Sequence, residues 1–85
     1  MGKSNFELYS DMRKQYPDRV LLFHQEETYE TFGLDAILCQ QVLGTLIASD
    51  IKGQYPITWF AEYELSRNIE KLLKKGNNVA VIDEL

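Results

Sequence analysis

The stretch from Val20 to Phe32 constrains the fold of this chain more than any other. Val20-Leu21-Leu22-Phe23 is an unbroken apolar run of strand formers with polar residues on both sides, and it predicts a buried strand at the centre of the core. Thr28-Tyr29-Glu30-Thr31-Phe32 alternates polar and apolar residues, which predicts a second strand. In that reading Tyr29 and Phe32 anchor inward, while Thr28 and Glu30 share the opposite, wetter face. The expectation is a small exposed platform carried on an edge strand.

The flanking segments supply helices and further strands. Ser4 and Glu7 have the spacing of a capping box, and Phe6, Tyr9, Met12 and Tyr16 then recur at helical spacing until Pro17 forbids continuation. Gly33 interrupts the strand pattern, after which Leu34, Ile37, Leu38, Val42 and Leu46 form one apolar stripe. Ser49 to Tyr55 lacks periodicity and reads as a loop, and Pro56 opens a short strand, Ile57-Thr58-Trp59-Phe60. Leu65, Ile69, Leu72 and Leu73 define a third helix, closed by Lys74, Lys75 and Gly76, and Val79-Ala80-Val81-Ile82 is the last strand. Helices are therefore expected near residues 4 to 15, 34 to 45 and 62 to 75, packed on a small mixed sheet centred on Val20 to Phe23 and Val79 to Ile82. The fold class is α/β in the broad sense (α+β), with parallel pairs from strand-helix-strand crossovers beside one hairpin.

With 85 residues the chain is expected to form one domain, residues 1–85, either a fragment or the first module of something longer. Charge bears directly on partners. Nine Lys and Arg against 13 Asp and Glu give a net charge of -4, the wrong sign for a domain that grips phosphate unaided. The one cysteine, Cys39, excludes an internal disulfide and a multi-cysteine zinc site, and it reads as a small buried residue. No secretory leader is evident, and no apolar run approaches the roughly 20 residues that span a bilayer, so a cytoplasmic location without membrane contact is expected. Gly2-Lys3-Ser4 copies the tail of a phosphate-binding loop but lacks the preceding glycine and strand. Without a nucleophile and base, a metal box or a nucleotide loop, no enzymatic activity, no cofactor and no metal are expected.

Three motifs together carry a resemblance. The run from Arg19 to Ala36 resembles the segment of the MutS mismatch-repair N-terminal domain in which an apolar strand leads into Gly-Asp-Phe-Tyr-Glu-Leu-Phe and an acidic-alanine helix start. Phe6 to Pro17 looks like that family's opening helix, and Lys71 to Glu84 looks like its helix, glycine, Val-Ala-Ile strand and acidic residue. The order and spacing of the three cover nearly all of the chain.

The resemblance implies a domain that lies against mismatched DNA, with the family's Phe-x-Glu motif reading the lesion: the aromatic wedges beside the mispaired base and the glutamate hydrogen-bonds it. Tyr29 matches the family's Tyr and Glu30 its Glu, but the wedge position is occupied by Thr28. The preceding Gly-Asp is replaced by Glu26-Glu27, and His24 stands where the family tends to carry Arg. The family's Pro-Met-Ala-Gly-Ile-Pro strand becomes Pro56-Ile-Thr-Trp-Phe-Ala61, and its basic loop shrinks to Lys52. Stacking a base on an aromatic ring is worth roughly 1 to 3 kcal/mol, and a threonine offers almost none of it.

Each of these residues also has a structural reading. Glu30 fits an ordinary solvent-facing strand residue, Tyr29 a core residue and His24 a strand-end surface residue. Glu26, Glu27, Glu30 and Asp35 could supply oxygen ligands to a divalent cation, but alternation splits them between faces. Trp59 and Phe60 are neighbours on one strand, so one of them faces outward as an exposed aromatic surface unless something covers it. Two functions remain open. One is a MutS-type DNA-contacting domain, with Thr28, Glu30, His24 and Lys52 at the nucleic acid, binding duplex or branched DNA weakly beside more basic downstream domains. The other is a protein-interaction or structural module that keeps the fold without reading DNA.

Overall fold

A continuous apolar run such as Val20 to Phe23 is tolerated in a strand only when both faces of the sheet are covered, and this determines the layering of the domain. The computed structural model describes residues 5–50 and 52–83. Chain order is α1 (Asn5–Gln15), β1 (Arg19–Gln25), β2 (Thr28–Phe32), α2 (Gly33–Leu43), β3 (Ile47–Ser49) and β4 (Pro56–Ala61), then one turn of 3-10 helix (Glu62–Glu64), α3 (Leu65–Lys74) and β5 (Asn78–Ile82). The five strands form one mixed sheet in the order β3-β4-β2-β1-β5. Only β1 and β5 run parallel, Val20 opposite Val79 and Phe23 opposite Ile82; β1–β2, β2–β4 and β3–β4 are antiparallel.

Alternation along the strands builds two cores. Val20, Leu22, Tyr29 and Phe60 face α2 and α3, where they pack with Cys39 and Leu72. Leu21, Phe23 and Phe32 face α1, where they meet Tyr9 with Phe6 and Met12 beside it. Leu21, Leu22 and Phe23 are all fully buried. The buried thiol of Cys39 is pushed up to about 12, first by burial and then by the charge of Asp35, so it behaves as a small apolar group. No helix among the described residues is long and apolar enough to cross a membrane.

The three helices, the hairpin and the strands at Val20, Ile57 and Val79 follow the sequence expectation, and the α+β class holds. Several details differ. β2 is the middle strand rather than an edge strand, and β5, which was expected at the centre, is an edge. Tyr29 and Phe32 are both buried but on opposite faces, because residues three apart on a strand cannot share one. Thr28 and Glu30 therefore lie on the same face as Phe32, the side that α1 partly covers. The β2–α2–β4 connection yields an antiparallel pair, since β3 turns the chain once more before β4.

β3 itself lies where continuation of the helical stripe and then a loop were expected. Gly44 adopts the left-handed conformation at φ 74 and its amide donates to the Gln40 carbonyl, which ends α2 and leaves Leu46 outside the helix, exposed. The buried Thr58 hydroxyl then fixes the exit: it accepts from the Thr45 hydroxyl, 2.6 Å away, and donates to the Leu46 carbonyl. After β3, the Asp50 carboxylate accepts from the amides of Lys52, Gln54 and Tyr55, organising the loop around one side chain. The proposed capping serine, Ser4, lies outside the described residues.

Between α1 and the sheet sits one buried acid. Asp35, in the first turn of α2, accepts the Leu21 amide at 3.2 Å and the Tyr9 hydroxyl, with the Arg13 guanidinium 3.7 Å away. Burial raises its carboxyl above the ordinary value and outweighs those three partners. The Tyr9 hydroxyl is pushed up to about 12 by burial and by the same carboxylate. Gly33, at φ 61, lets the chain leave β2 close under this ring; a Cβ there would stand 3.4 Å from Tyr9 Cε2.

Candidate nucleic-acid interface

The candidate residues hang on the β1–β2 hairpin, whose Gln25↔Thr28 register leaves only Glu26 and Glu27 in the loop. So tight a loop demands a positive φ at its first residue. Glu26 supplies it at φ 57, the one non-glycine residue with positive φ among those described. The Thr28 hydroxyl donates to the Gln25 carbonyl at 3.1 Å and so helps to close the turn. Thr28 is thus a hairpin residue by geometry, with its polar group already occupied.

Two residues further along β2, Glu30 projects on the α1 side, half-buried. Its carboxylate accepts from Asn5 Nδ2 at 3.0 Å, and the same amide reaches Gln25 Oε1 at 3.3 Å. Glu30 is therefore oriented by the first turn of α1, a constraint the sequence did not signal. Across the strand pair, Glu30 lies opposite Trp59 and Thr28 opposite Ala61. Trp59 is 39% exposed, although β4 is flanked on both sides by other strands. Its neighbour Phe60 is buried on the other face and stacked on Tyr29 at a centroid distance of 5.9 Å. Of the two aromatics, Trp59 is the outward one.

His24 and Lys52 do not join this group. His24 alternates to the opposite face, where its ring stacks on Tyr29 at 4.5 Å. Its Nε2 is 2.6 Å from Glu62 Oε2 and its Nδ1 3.5 Å from Asp83 Oδ1, so an incoming phosphate would compete with two carboxylates for the ring. Lys52 lies beyond the Pro56 end of β4, whereas Thr28 is level with Ala61 at the other end. There it lines a groove of about 650 Å³ with Phe6, Asp50 and Tyr55, the Phe6 and Tyr55 rings stacked 3.9 Å apart. The four acids weighed as cation ligands are dispersed: Glu26 and Glu27 on the turn, Glu30 against Asn5, and Asp35 buried beside Tyr9. Among the described residues no group of three or more His, Cys, Asp or Glu could hold a metal ion.

The structure thus brings Thr28, Glu30 and Trp59 onto one sheet face, a rim of acceptors and one flat aromatic, with acidic residues at the turn above them. Comparison with known proteins bears on what such a face is for. The family model described as MutS domain I matches residues 4–85. The DNA mismatch repair protein MutS of Flavobacterium johnsoniae is 34% identical over 80 residues, 91% of this chain and 9% of that protein. The proteins of the same name from Bacteroides fragilis and Thermodesulfovibrio yellowstonii are each 30% identical over 80 residues, with the same coverage. The chain thus spans about 9% of the length of these curated relatives. With its opening helix, its hairpin and its closing parallel strand all inside the matched segment, the chain belongs to the MutS domain I family.

Proposed function

We propose that this domain is a DNA-contacting module of the mismatch-repair type, working in the cytoplasm beside more basic partners or domains and without catalysis of its own. The observation that carries the proposal is Glu30, held by Asn5 on the sheet face that α1 only partly covers, with an exposed aromatic opposite it. Thr28 does not act as a wedge: it has no ring, and its hydroxyl is spent on the Gln25 carbonyl. A net charge of -4 and the glutamates of the turn keep intrinsic affinity low.

Binding of fluorescein-labelled duplex and branched DNA by the isolated chain, followed by anisotropy across a salt series, tests this. Dissociation constants in or above the roughly 10⁻⁴ to 10⁻⁶ M range with a shallow salt slope are expected. No binding even at low salt refutes DNA contact; tight binding with a steep slope refutes dependence on partners. A protein-interaction or structural module is the second reading. It is favoured by Leu34 and Ile37, exposed apolar residues on α2.

A further inference from the structure

Trp59 sits on an inner strand of the sheet, yet its indole is 39% exposed; both pairings of β4 are antiparallel, and such a sheet can leave one face to water. The cause lies in the layering: two helices cover one face, while α1 alone serves the other and packs over β1 and β2. Toward the hairpin the neighbours of the ring are small or polar, whereas Ile57 and Phe32 adjoin it on the other side. Ala61 lies two residues along the same strand, Thr28 diagonally across, and Glu30 directly opposite. Cross-strand pairs put their Cβ atoms about 4.5 to 5.5 Å apart, so the Glu30 carboxylate sits at the edge of whatever lies on the indole.

We propose that Trp59 is the base-stacking residue of this domain, taking an unpaired base with its Watson–Crick edge toward Glu30. An ionised carboxylate only accepts hydrogen bonds, so the fitting edge presents N–H groups, as the imino N–H of thymine or guanine does. In an intact duplex those groups are consumed by pairing, so the ligand is DNA carrying an extrahelical or mispaired base. Small side chains at 28 and 61 leave the space beside the ring that a second large residue would fill. The aromatic surface has in effect moved from the end of β2 to the adjoining strand. This inference rests on the DNA-contacting reading above and adds the residue, the ligand geometry and the preference.

The chain has a single tryptophan, so its emission reports on this residue alone. The intact protein is titrated with two labelled duplexes, one fully matched and one with a single extrahelical thymine, reading DNA anisotropy and tryptophan emission together. The expected result is quenching of Trp59 by the bulged duplex and a preference for it of about 5-fold to 150-fold, the range one stacked base supplies. Trp59→Ala abolishes the preference, while Trp59→Phe, which preserves a ring, retains part of it; circular dichroism verifies that both variants fold. Equal binding of the two duplexes without quenching, unchanged in Trp59→Ala, overturns the role of Trp59 and leaves DNA contact standing. Absence of anisotropy change with any DNA overturns both. Emission that shifts with protein concentration alone shows a protein surface covering the indole, and overturns the proposal in favour of self-association.

Discussion

Glu26→Gly is expected to stabilise the domain. Glu26 holds φ 57 in a loop of two residues, a backbone conformation that brings a Cβ against its own carbonyl. An L-residue there costs roughly 1 to 2 kcal/mol, and glycine does not incur that cost. Against it stands the larger conformational entropy of a glycine in the unfolded chain, roughly 0.5 to 1 kcal/mol. The difference leaves a gain of about 0.5 to 1 kcal/mol, which for a domain of this size raises Tm by roughly 2 to 8 °C. Urea unfolding followed by circular dichroism measures it directly. Removing a negative charge near Glu27 and Glu30 could mimic the effect, so Glu26→Gln is the control: it loses the charge, keeps the strained φ and should gain little. Glu27→Gly, at a position without positive φ, should lose stability. A Glu26→Gly variant no more stable than Glu26→Gln would refute the assignment of backbone strain to this turn.

Three other outcomes follow from the packing. Leu22→Ala should cost about 2 to 5 kcal/mol in urea unfolding, since the side chain is fully buried between the sheet and α2 and α3. Asp35 titrates above 3.8 in the folded state, so the fold binds that proton more tightly than the unfolded chain does and loses stability as pH rises through the raised value. Urea midpoints of wild type should accordingly improve relative to Asp35→Asn as pH falls from neutrality toward the ordinary carboxylate range; parallel curves would contradict this. Thr28→Phe removes the hydroxyl from the Gln25 carbonyl, at a stability cost of about 1 kcal/mol, and places a ring diagonal to Trp59. Because that ring fills the space beside the indole, it should lower the preference for bulged over matched duplex in competition binding, and a gain would place the stacking at position 28 and contradict the assignment to Trp59.

Elements whose stability comes from their own residues were legible in the sequence. The run Val20 to Phe23 fits a buried strand, and Leu65, Ile69 and Leu72 line the buried side of α3. β3 was not legible, because its three residues are all exposed and it is held by pairing to β4 and by Thr45, Thr58 and Asp50. The central place of β2 depends on β4, which approaches only after α2 and β3 have intervened, and nothing within Thr28 to Phe32 encodes that. Alternation identified one of Trp59 and Phe60 as outward; choosing between them needed to know which face α2 and α3 would cover. The Asn5–Glu30 hydrogen bond and the capture of His24 by Glu62 and Asp83 join groups far apart in the chain, so neither leaves a spacing to read.

The pairing of β1 with β5 ties the most buried strand of the sheet to the last of the described strands, Arg19 lying opposite Asn78. As the polypeptide leaves the ribosome, β1, β2 and β4 can pair in turn, but β1 keeps one unmatched edge until β5 has emerged. During that interval the backbone amides and carbonyls of its apolar segment are open to any strand that arrives first, including one from a neighbouring nascent chain. The loop that must close runs from Arg19 to Asn78, a non-local contact that slows folding relative to a bundle of helices. Synthesis order thus makes β5 both the latch that completes the sheet and the step at which a truncated product would expose its most adhesive edge.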